Sequence, residues 1–267
     1  MTEAELAIVR RAYAKQMMPH NLAHPRVEAA FAAVPREAFL GPGPWPIVYR
    51  HRRGYIQTPY VQTPSDDPVY LYQDLLVGII RERDLNNGQP SLHAKLIAAA
   101  APRPGEHVVH IGAGVGYYTA ILAHMVGESG RVTAIEFDGG LAERLAANFA
   151  GQPNVRALQG DGAQIEFDPA DVIYVNAGAT RPADIWLDRL NDGGRLILPL
   201  TSDKGFGENS KTYRSSGAAR YSASSASATS SSRNGFRRSR SFRVKARATP
   251  SQSGRWRRHS TRAAGSR

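Results

Sequence analysis

Apolar positions divide the chain into three stretches with different periods. From Glu3 to Met18, Leu6, Ile8, Val9, Tyr13 and Met17 recur at helical spacing. From Arg26 to Val34 the stripe Val27, Ala30, Phe31 and Val34 predicts a second helix, which Pro35 ends. Gly41-Pro-Gly-Pro-Trp-Pro46 is loop by composition, and residues up to about 85 read as irregular. Between about Asn86 and Leu200 the period alternates. Helices are predicted over Ser91–Ala101, Thr119–Met125, Leu141–Phe149 and Ala183–Leu190. Strands are predicted over Val108–Ile111, Arg131–Glu136, Val155–Leu158, Asp171–Val175 and Arg195–Leu200, with a turn at Asp192-Gly-Gly194. Short β-branched runs separated by helices predict an α/β fold of parallel βαβ units, with helices on both sheet faces. Ligands of such sheets sit beyond the carboxyl ends of the strands. From about Phe206 no period survives.

Composition sharpens that last boundary. The net charge is +11, yet 13 Arg and 2 Lys with no acid fall between Lys211 and Arg267, leaving 19 basic against 23 acidic residues before it. Serine moves with them: 15 of 20 lie in the same segment. A Ser/Arg-rich segment of this kind buries too little apolar surface to offset its ordering entropy and is expected to be disordered. Three parts are therefore expected: 1–85 as a helical and irregular cap, 86–205 as the α/β domain, and 206–267 as the tail. The chain has no Cys, which excludes disulfides, thiolate metal sites and a thiol nucleophile. No apolar run reaches a membrane span, and the acidic start Met1-Thr-Glu predicts no secretory leader, so a cytoplasmic protein is expected.

The candidate chemistry lies at successive strand ends. His110-Ile-Gly112-Ala113-Gly114-Val-Gly116-Tyr117 follows the first predicted strand, and glycines there allow a tight turn and let a ligand touch backbone at a helix start. Tyr117 stands where a dinucleotide loop carries its third glycine, which sets back a nicotinamide-dependent dehydrogenase. Glu136 ends the second strand, where a carboxylate accepts both hydroxyls of a ribose. Asp161-Gly162 follows the third strand and suits an adenine amino group; Asn176 follows the fourth and suits the pocket lining. No metal site is expected. His20 and His24 are four apart without an intervening glutamate and with Pro25 next, and His107 and His110 lie on opposite strand faces.

Val108-Val-His-Ile-Gly-Ala-Gly-Val-Gly-Tyr-Tyr-Thr-Ala-Ile-Leu-Ala123, Val132-Thr-Ala-Ile-Glu136 and Gly160-Asp-Gly162 resemble the Rossmann-like, S-adenosylmethionine-dependent methyltransferases. Within that class, Val34-Pro-Arg-Glu-Ala-Phe39, Tyr72-Gln-Asp74, Asp171–Val175 and Leu190-Asn-Asp-Gly-Gly-Arg-Leu-Ile-Leu-Pro199 resemble the protein-L-isoaspartate O-methyltransferases, in the family's order through most of residues 10–200. The resemblance implies a doubly wound sheet and S-adenosyl-L-methionine as cofactor. Gly112, Ala113, Gly114, Gly116 and Tyr117 would then cradle its methionine part, Glu136 its ribose, and Asp161 with Gly162 its adenine. It implies methyl transfer to the α-carboxylate of isoaspartyl residues in damaged protein, with Asp74 a structural or pocket-rim acid.

Three departures from the family pattern bear on this. Gly88 stands where a serine hydroxyl is usual; Ser91 offers a hydroxyl three residues later, and His93 is open to either a helix-end hydrogen bond or substrate contact. His110 stands where an acid is usual. The two edge strands expected after Leu200 are missing from the pattern, which suggests that residues from about 206–211 onward are the product of a shifted reading frame. The alternatives are a methyltransferase with a small-molecule acceptor, which Gly88 keeps open, and a nucleic-acid-binding protein working through the phosphate affinity of a basic tail.

Overall fold

Thr2 starts the first helix, α1 (Glu3–Met17), by a reciprocal cap: its hydroxyl accepts from the Glu5 N–H, and the Glu5 carboxylate accepts from the Thr2 N–H at 2.8 Å. In the computed structural model, which describes residues 1–18, 24–49, 60–200 and 220–225, α2 (Pro25–Ala33) comes next, with Pro25 at its first position. His24 is its cap, the ring Nδ1 accepting from the Val27 N–H. His20 and the basic cluster Arg50–Arg53 lie outside the described residues. Leu6, Tyr13 and Met17 of α1 and Val27, Ala30 and Phe31 of α2 are buried in one core with residues of the main sheet.

The stretch read as irregular contains a small antiparallel sheet. Its strands are β1 (Pro46–Tyr49), β2 (Val61–Gln62), β3 (Leu75–Ile80) and β4 (Leu85–Asn86), in the order β2-β1-β3-β4. Strands of two to six residues beside prolines show too few alternations to be read locally, and their stability comes from a separate cluster of Trp45, Ile47, Leu71, Leu75 and Val77. Arg36, just beyond α2, ties this sheet to the helical region. Its fully buried guanidinium donates to the carbonyls of Leu71, Gln73 (3.2 Å) and Leu75 (2.8 Å) and to Asn87 Oδ1 (3.3 Å).

The remainder alternates as the periodicity predicts: α3 (Pro90–Ala100), β5 (His107–Ile111), α4 (Tyr117–Val126), β6 (Arg131–Glu136), α5 (Gly139–Asn148), β7 (Val155–Gln159), β8 (Ala170–Val175), α6 (Asp184–Asp188), β9 (Leu190–Leu200) and β10 (Arg220–Ser225). The sheet order is β10-β9-β8-β5-β6-β7, with β5 to β9 parallel and β10 antiparallel to β9. The chain builds outward from β5 to β7 and then returns to the other side of β5 with β8, so the reversal point lies between β5 and β8. All five residues of β5 are buried, as expected for a strand covered on both faces.

Two expectations are corrected. Asp192-Gly-Gly194 is not a free turn but an irregularity inside β9, whose pairing with β8 jumps from Ala170–Leu190 to Val172–Arg195. The tail is expected to carry no strand, yet Arg220–Ser225 forms β10, in register with Leu200 to Arg195. Pairing of this kind satisfies the outer N–H and C=O groups of β9 and needs no apolar alternation in the added strand. The rest of the tail lies outside the described residues.

Arg195 joins the edge of this sheet to the end of α3. Nε and Nη2 donate to the carbonyls of Ala100 (2.8 Å) and Ala101 (2.9 Å), and the two Nη groups engage both oxygens of Glu106 at 2.8 and 2.6 Å. These contacts serve two of the carbonyls a helix leaves unpaired at its carboxyl end. No helix among the described residues is long and apolar enough to cross a membrane. Replacing Arg195 by Met strands the mostly buried Glu106 carboxylate, so urea unfolding of the variant is expected to show a loss of about 2–3 kcal/mol.

Candidate functional site

The site begins where the chain leaves β5. Gly112 has a φ of +71°, and a Cβ built on it would lie 2.8 Å from the carbonyl oxygen of Asn176. The Asn176 N–H in turn donates to the Ile111 carbonyl at 2.7 Å. Only a residue without a side chain allows the loops after β5 and β8 this approach, and it occurs at the reversal point, where open α/β sheets form their crevice. The amides of Gly112 and Ala113 donate to the Ile135 carbonyl (2.9 and 3.1 Å), folding the loop over the end of β6.

Glu136 lies across that loop. One carboxylate oxygen accepts from the Gly114 N–H at 2.7 Å and the other from the Asp138 N–H at 2.9 Å. Gly114 (φ +57°) has nothing within 4 Å of where its Cβ would be, so the loop opens on that side. Gly116 (φ +99°) does the opposite: its Cβ would lie 2.5 Å from the Phe149 ring and 2.9 Å from Leu145, so its absence lets α4 pack on α5. Beyond β7, Asp161 accepts from the Ala163 N–H (2.9 Å) and from Gln164 Nε2 (3.0 Å), while Gly162 packs on Ile111 and its carbonyl accepts from the Trp186 indole at 2.7 Å. The ends of four adjacent strands thus bring together Gly112, Gly114, Glu136, Asp161, Gly162 and Asn176.

One residue of this group escaped the sequence reading. Phe137, directly after Glu136, is 72% exposed, an aromatic face held in water beside a carboxylate. Its only local sign is an aromatic residue following the acid that ends a strand. Arg83 of the small-sheet region pairs with Asp138 one residue further on and, with the Leu141 N–H, holds that carboxyl below the usual carboxylate range.

The side chains of the other expected site residues have partners of their own. The Ala113 methyl is buried in the core. The Tyr117 ring is buried as well, packed edge-on to Phe31 and Phe39, with the Arg36 guanidinium 5.9 Å over it, so only its backbone borders the glycine loop. The Ser91 hydroxyl donates to Asp74 Oδ2 (2.7 Å), the Ser91 N–H donates to Oδ1 (2.9 Å) and Gln89 Nε2 donates to Oδ2 (2.7 Å). Asp74 therefore serves as the cap of α3, and the Ser91 hydroxyl is committed to it.

The two histidines near the site are buried and neutral. His110 points away from the cleft to the α4 side, with Nδ1 2.8 Å from Thr119 Oγ1 and its ring edge-on to Tyr174. His93 stacks on Tyr118 at 3.7 Å, with Nδ1 2.7 Å from the Tyr174 hydroxyl. Burial pushes both pKa values down to about 3, helped at His93 by repulsion from a protonated His110 and from Arg36.

Fold and cleft together define a Rossmann-like, doubly wound α/β protein with its crevice at the reversal point of the sheet. The profile of the family described as protein-L-isoaspartate(D-aspartate) O-methyltransferase matches residues 13–219, and the chain belongs to that family. It is 30% identical over 180 residues to the protein-L-isoaspartate O-methyltransferase of Thermotoga maritima, covering 65% of this chain and 50% of that one. Over 198 residues it is 33% identical to protein-L-isoaspartate O-methyltransferase 1 of Rhodopseudomonas palustris, covering 73% and 69%. A solved protein-L-isoaspartate O-methyltransferase superposes with a TM-score of 0.58 at 28% identity, over 72% of this chain and 55% of that one. The chain thus spans only about half the length of the first and last of these. A Plasmodium falciparum structure in complex with S-adenosyl-L-homocysteine shares the fold, with a TM-score of 0.53 at 18% identity, over 73% of this chain and 85% of that one.

The histidines give the stability a pH dependence of known sign. Unfolded, each takes up a proton below about pH 6.5; folded, each resists protonation until about 3. Their contribution is complete above pH 6.5 and is lost as pH falls toward 3. Between pH 7 and 5 denaturant midpoints are expected to fall, with a slope approaching about 1.4 kcal/mol per pH unit for each histidine. His110→Asn should flatten that slope.

Proposed function

We propose that this chain is an S-adenosyl-L-methionine-dependent O-methyltransferase that acts in the cytoplasm on the α-carboxylate of isoaspartyl residues in damaged protein. The observation that carries this reading is the Glu136 carboxylate, held by the Gly114 N–H across an open glycine loop and flanked by exposed Phe137. The residues fit the cofactor by their own chemistry. Glu136 accepts ribose hydroxyls, Phe137 offers a face for adenine, Asp161 and Gly162 lie at the adenine edge, and Gly112, Gly114, Gly116 and Asn176 form the backbone cradle. The division of labour follows the chain: residues 86–205 hold the cofactor, and 1–85 form a cap that brings in the loop before α3.

When bound, S-adenosyl-L-methionine supplies an electrophilic methyl on a sulfonium. The acceptor carboxylate is ionised at pH 7 and needs no strong base, which agrees with a site whose nearby histidines are neutral. The protein's part is alignment of two groups and exclusion of water. Gly88, which leaves the acceptor loop without a side chain, also favours a second reading in which the acceptor is a small carboxylic acid.

On the full chain, calorimetry is expected to show S-adenosylhomocysteine binding and no NAD binding. Glu136→Ala should weaken the former at least about tenfold, and Phe137→Ala by about fivefold. With methyl-labelled cofactor, an isoaspartyl peptide should gain a base-labile ester and its aspartyl isomer should not. Esterification of small acids with the isoaspartyl peptide inert would move the assignment to the second reading.

A further inference from the structure

Gly88 is the residue of the loop before α3 with the least freedom to be anything else. Its φ is +76°, and a Cβ built there would collide with Nε2 of His93 and lie 3.0 Å from its Cδ2. The imidazole of His93 therefore occupies the volume that a side chain at position 88 would fill. This arrangement is fixed from four sides. The ring stacks on Tyr118 at 3.7 Å, its Nδ1 meets the Tyr174 hydroxyl at 2.7 Å, the Tyr118 hydroxyl donates to the Gly88 carbonyl at 3.3 Å, and the Gly88 N–H donates to Asn86 Oδ1 at 3.0 Å.

The position is at the ligand end of the sheet. The carboxyl end of α3 is held by Arg195 near the start of the paired part of β9, while His93 in its first turn meets Tyr174 next to the last residue of β8, so that turn lies near the strand ends. Tyr174 is two residues before Asn176, and Tyr118 is the second residue of α4, just after the glycine loop. His93 is 96% buried, with Nδ1 engaged by Tyr174 and Nε2 turned toward Gly88.

We infer that the Gly88–His93 pair determines the acceptor: His93 Nε2–H, in place of a side chain at position 88, is the hydrogen-bond donor that receives the acceptor carboxylate. In this arrangement the Tyr174 hydroxyl donates to Nδ1, which leaves the proton of the neutral ring on Nε2. A carboxylate, which only accepts, selects that tautomer. No proton is transferred; the donor orients the anion toward the methyl group. The inference rests on the methyltransferase reading and adds to it the residue that recognises the acceptor.

The test uses the full chain as Gly88→Ser, His93→Ala, His93→Gln and the double variant Gly88→Ser/His93→Ala, with three measurements: thermal melting, S-adenosylhomocysteine affinity, and kcat/KM for an isoaspartyl peptide. His93→Ala should keep the ligand affinity within about twofold and lose about tenfold or more in kcat/KM, mostly through KM. His93→Gln, whose amide places an N–H near the lost Nε2, should recover much of that. Gly88→Ser should lower the melting temperature and the activity, and His93→Ala added to it should recover part of both, because the serine then stands in the vacated volume. Unchanged kcat/KM in His93→Ala would overturn the inference. So would equal losses of ligand affinity and activity in His93→Ala and His93→Gln, which would mark the ring as structural only. Strictly additive melting losses would show that positions 88 and 93 do not share a volume. A wild-type chain that binds S-adenosylhomocysteine but leaves the peptide unmethylated would overturn the acceptor reading, and with it the acceptor role of His93, while the melting cycle would still decide the coupling of the pair.

Discussion

The contact between Gly112 and the backbone of Asn176 sets the geometry on which the candidate site depends. Parallel strands on either side of a reversal point send their next segments in opposite directions, which leaves a gap at their carboxyl ends. Here the gap is narrowed to backbone contact at one place by the missing Cβ, while Gly114 keeps the neighbouring stretch open. Glu136 then reaches across the loop and fixes it by one hydrogen bond, at the cost of holding a mostly buried carboxylate. That cost is offset by two backbone donors, which is why an acid can remain at this place with no cationic partner found among the described residues.

A second level of organisation comes from buried polar groups that are held by neutral partners. Arg36 is a buried cation solvated by three carbonyls and an amide oxygen, and no ion pair is found for it among the described residues. Its partners belong to the segment leading into the first residue of β3 and to the loop before α3, so one side chain from the end of the helical region sets the distance between the small sheet and the loop that carries Gly88. Asp74 continues this by capping α3 from a distance of 17 residues in sequence. The loop that carries Gly88 is thus positioned by long-range hydrogen bonds, whereas the glycine loop is positioned by the strands themselves.

The two sides differ in legibility for the same reason. The parallel sheet and its glycine loop are readable because buried strands are continuous β-branched runs, and because the loop must use glycine wherever φ is positive. Gly112, Gly114, Glu136, Asp161 and Asn176 follow one another at successive strand ends, so order in the sequence becomes proximity in space. For Ser91 and Tyr117 sequence position says nothing about side-chain direction: the Ser91 hydroxyl is engaged by Asp74, and the Tyr117 ring turns into the core beside Arg36. Phe137 is missed because a single exposed aromatic residue has no pattern.

By itself, then, the sequence determined the order of helices and strands, the parallel architecture and the strand ends that carry the candidate site, since these depend on local periodicity and on backbone freedom at glycine. Tertiary structure alone decided the small antiparallel sheet and the pairing of β10 with β9, because isolated short strands gain stability only from partners distant in sequence. It also decided the fate of the Gly88–His93 pair. The His93 ring fills the place of a side chain at position 88 because Tyr118 and Tyr174, distant in sequence, hold it there, and no property of either residue alone records that exclusion.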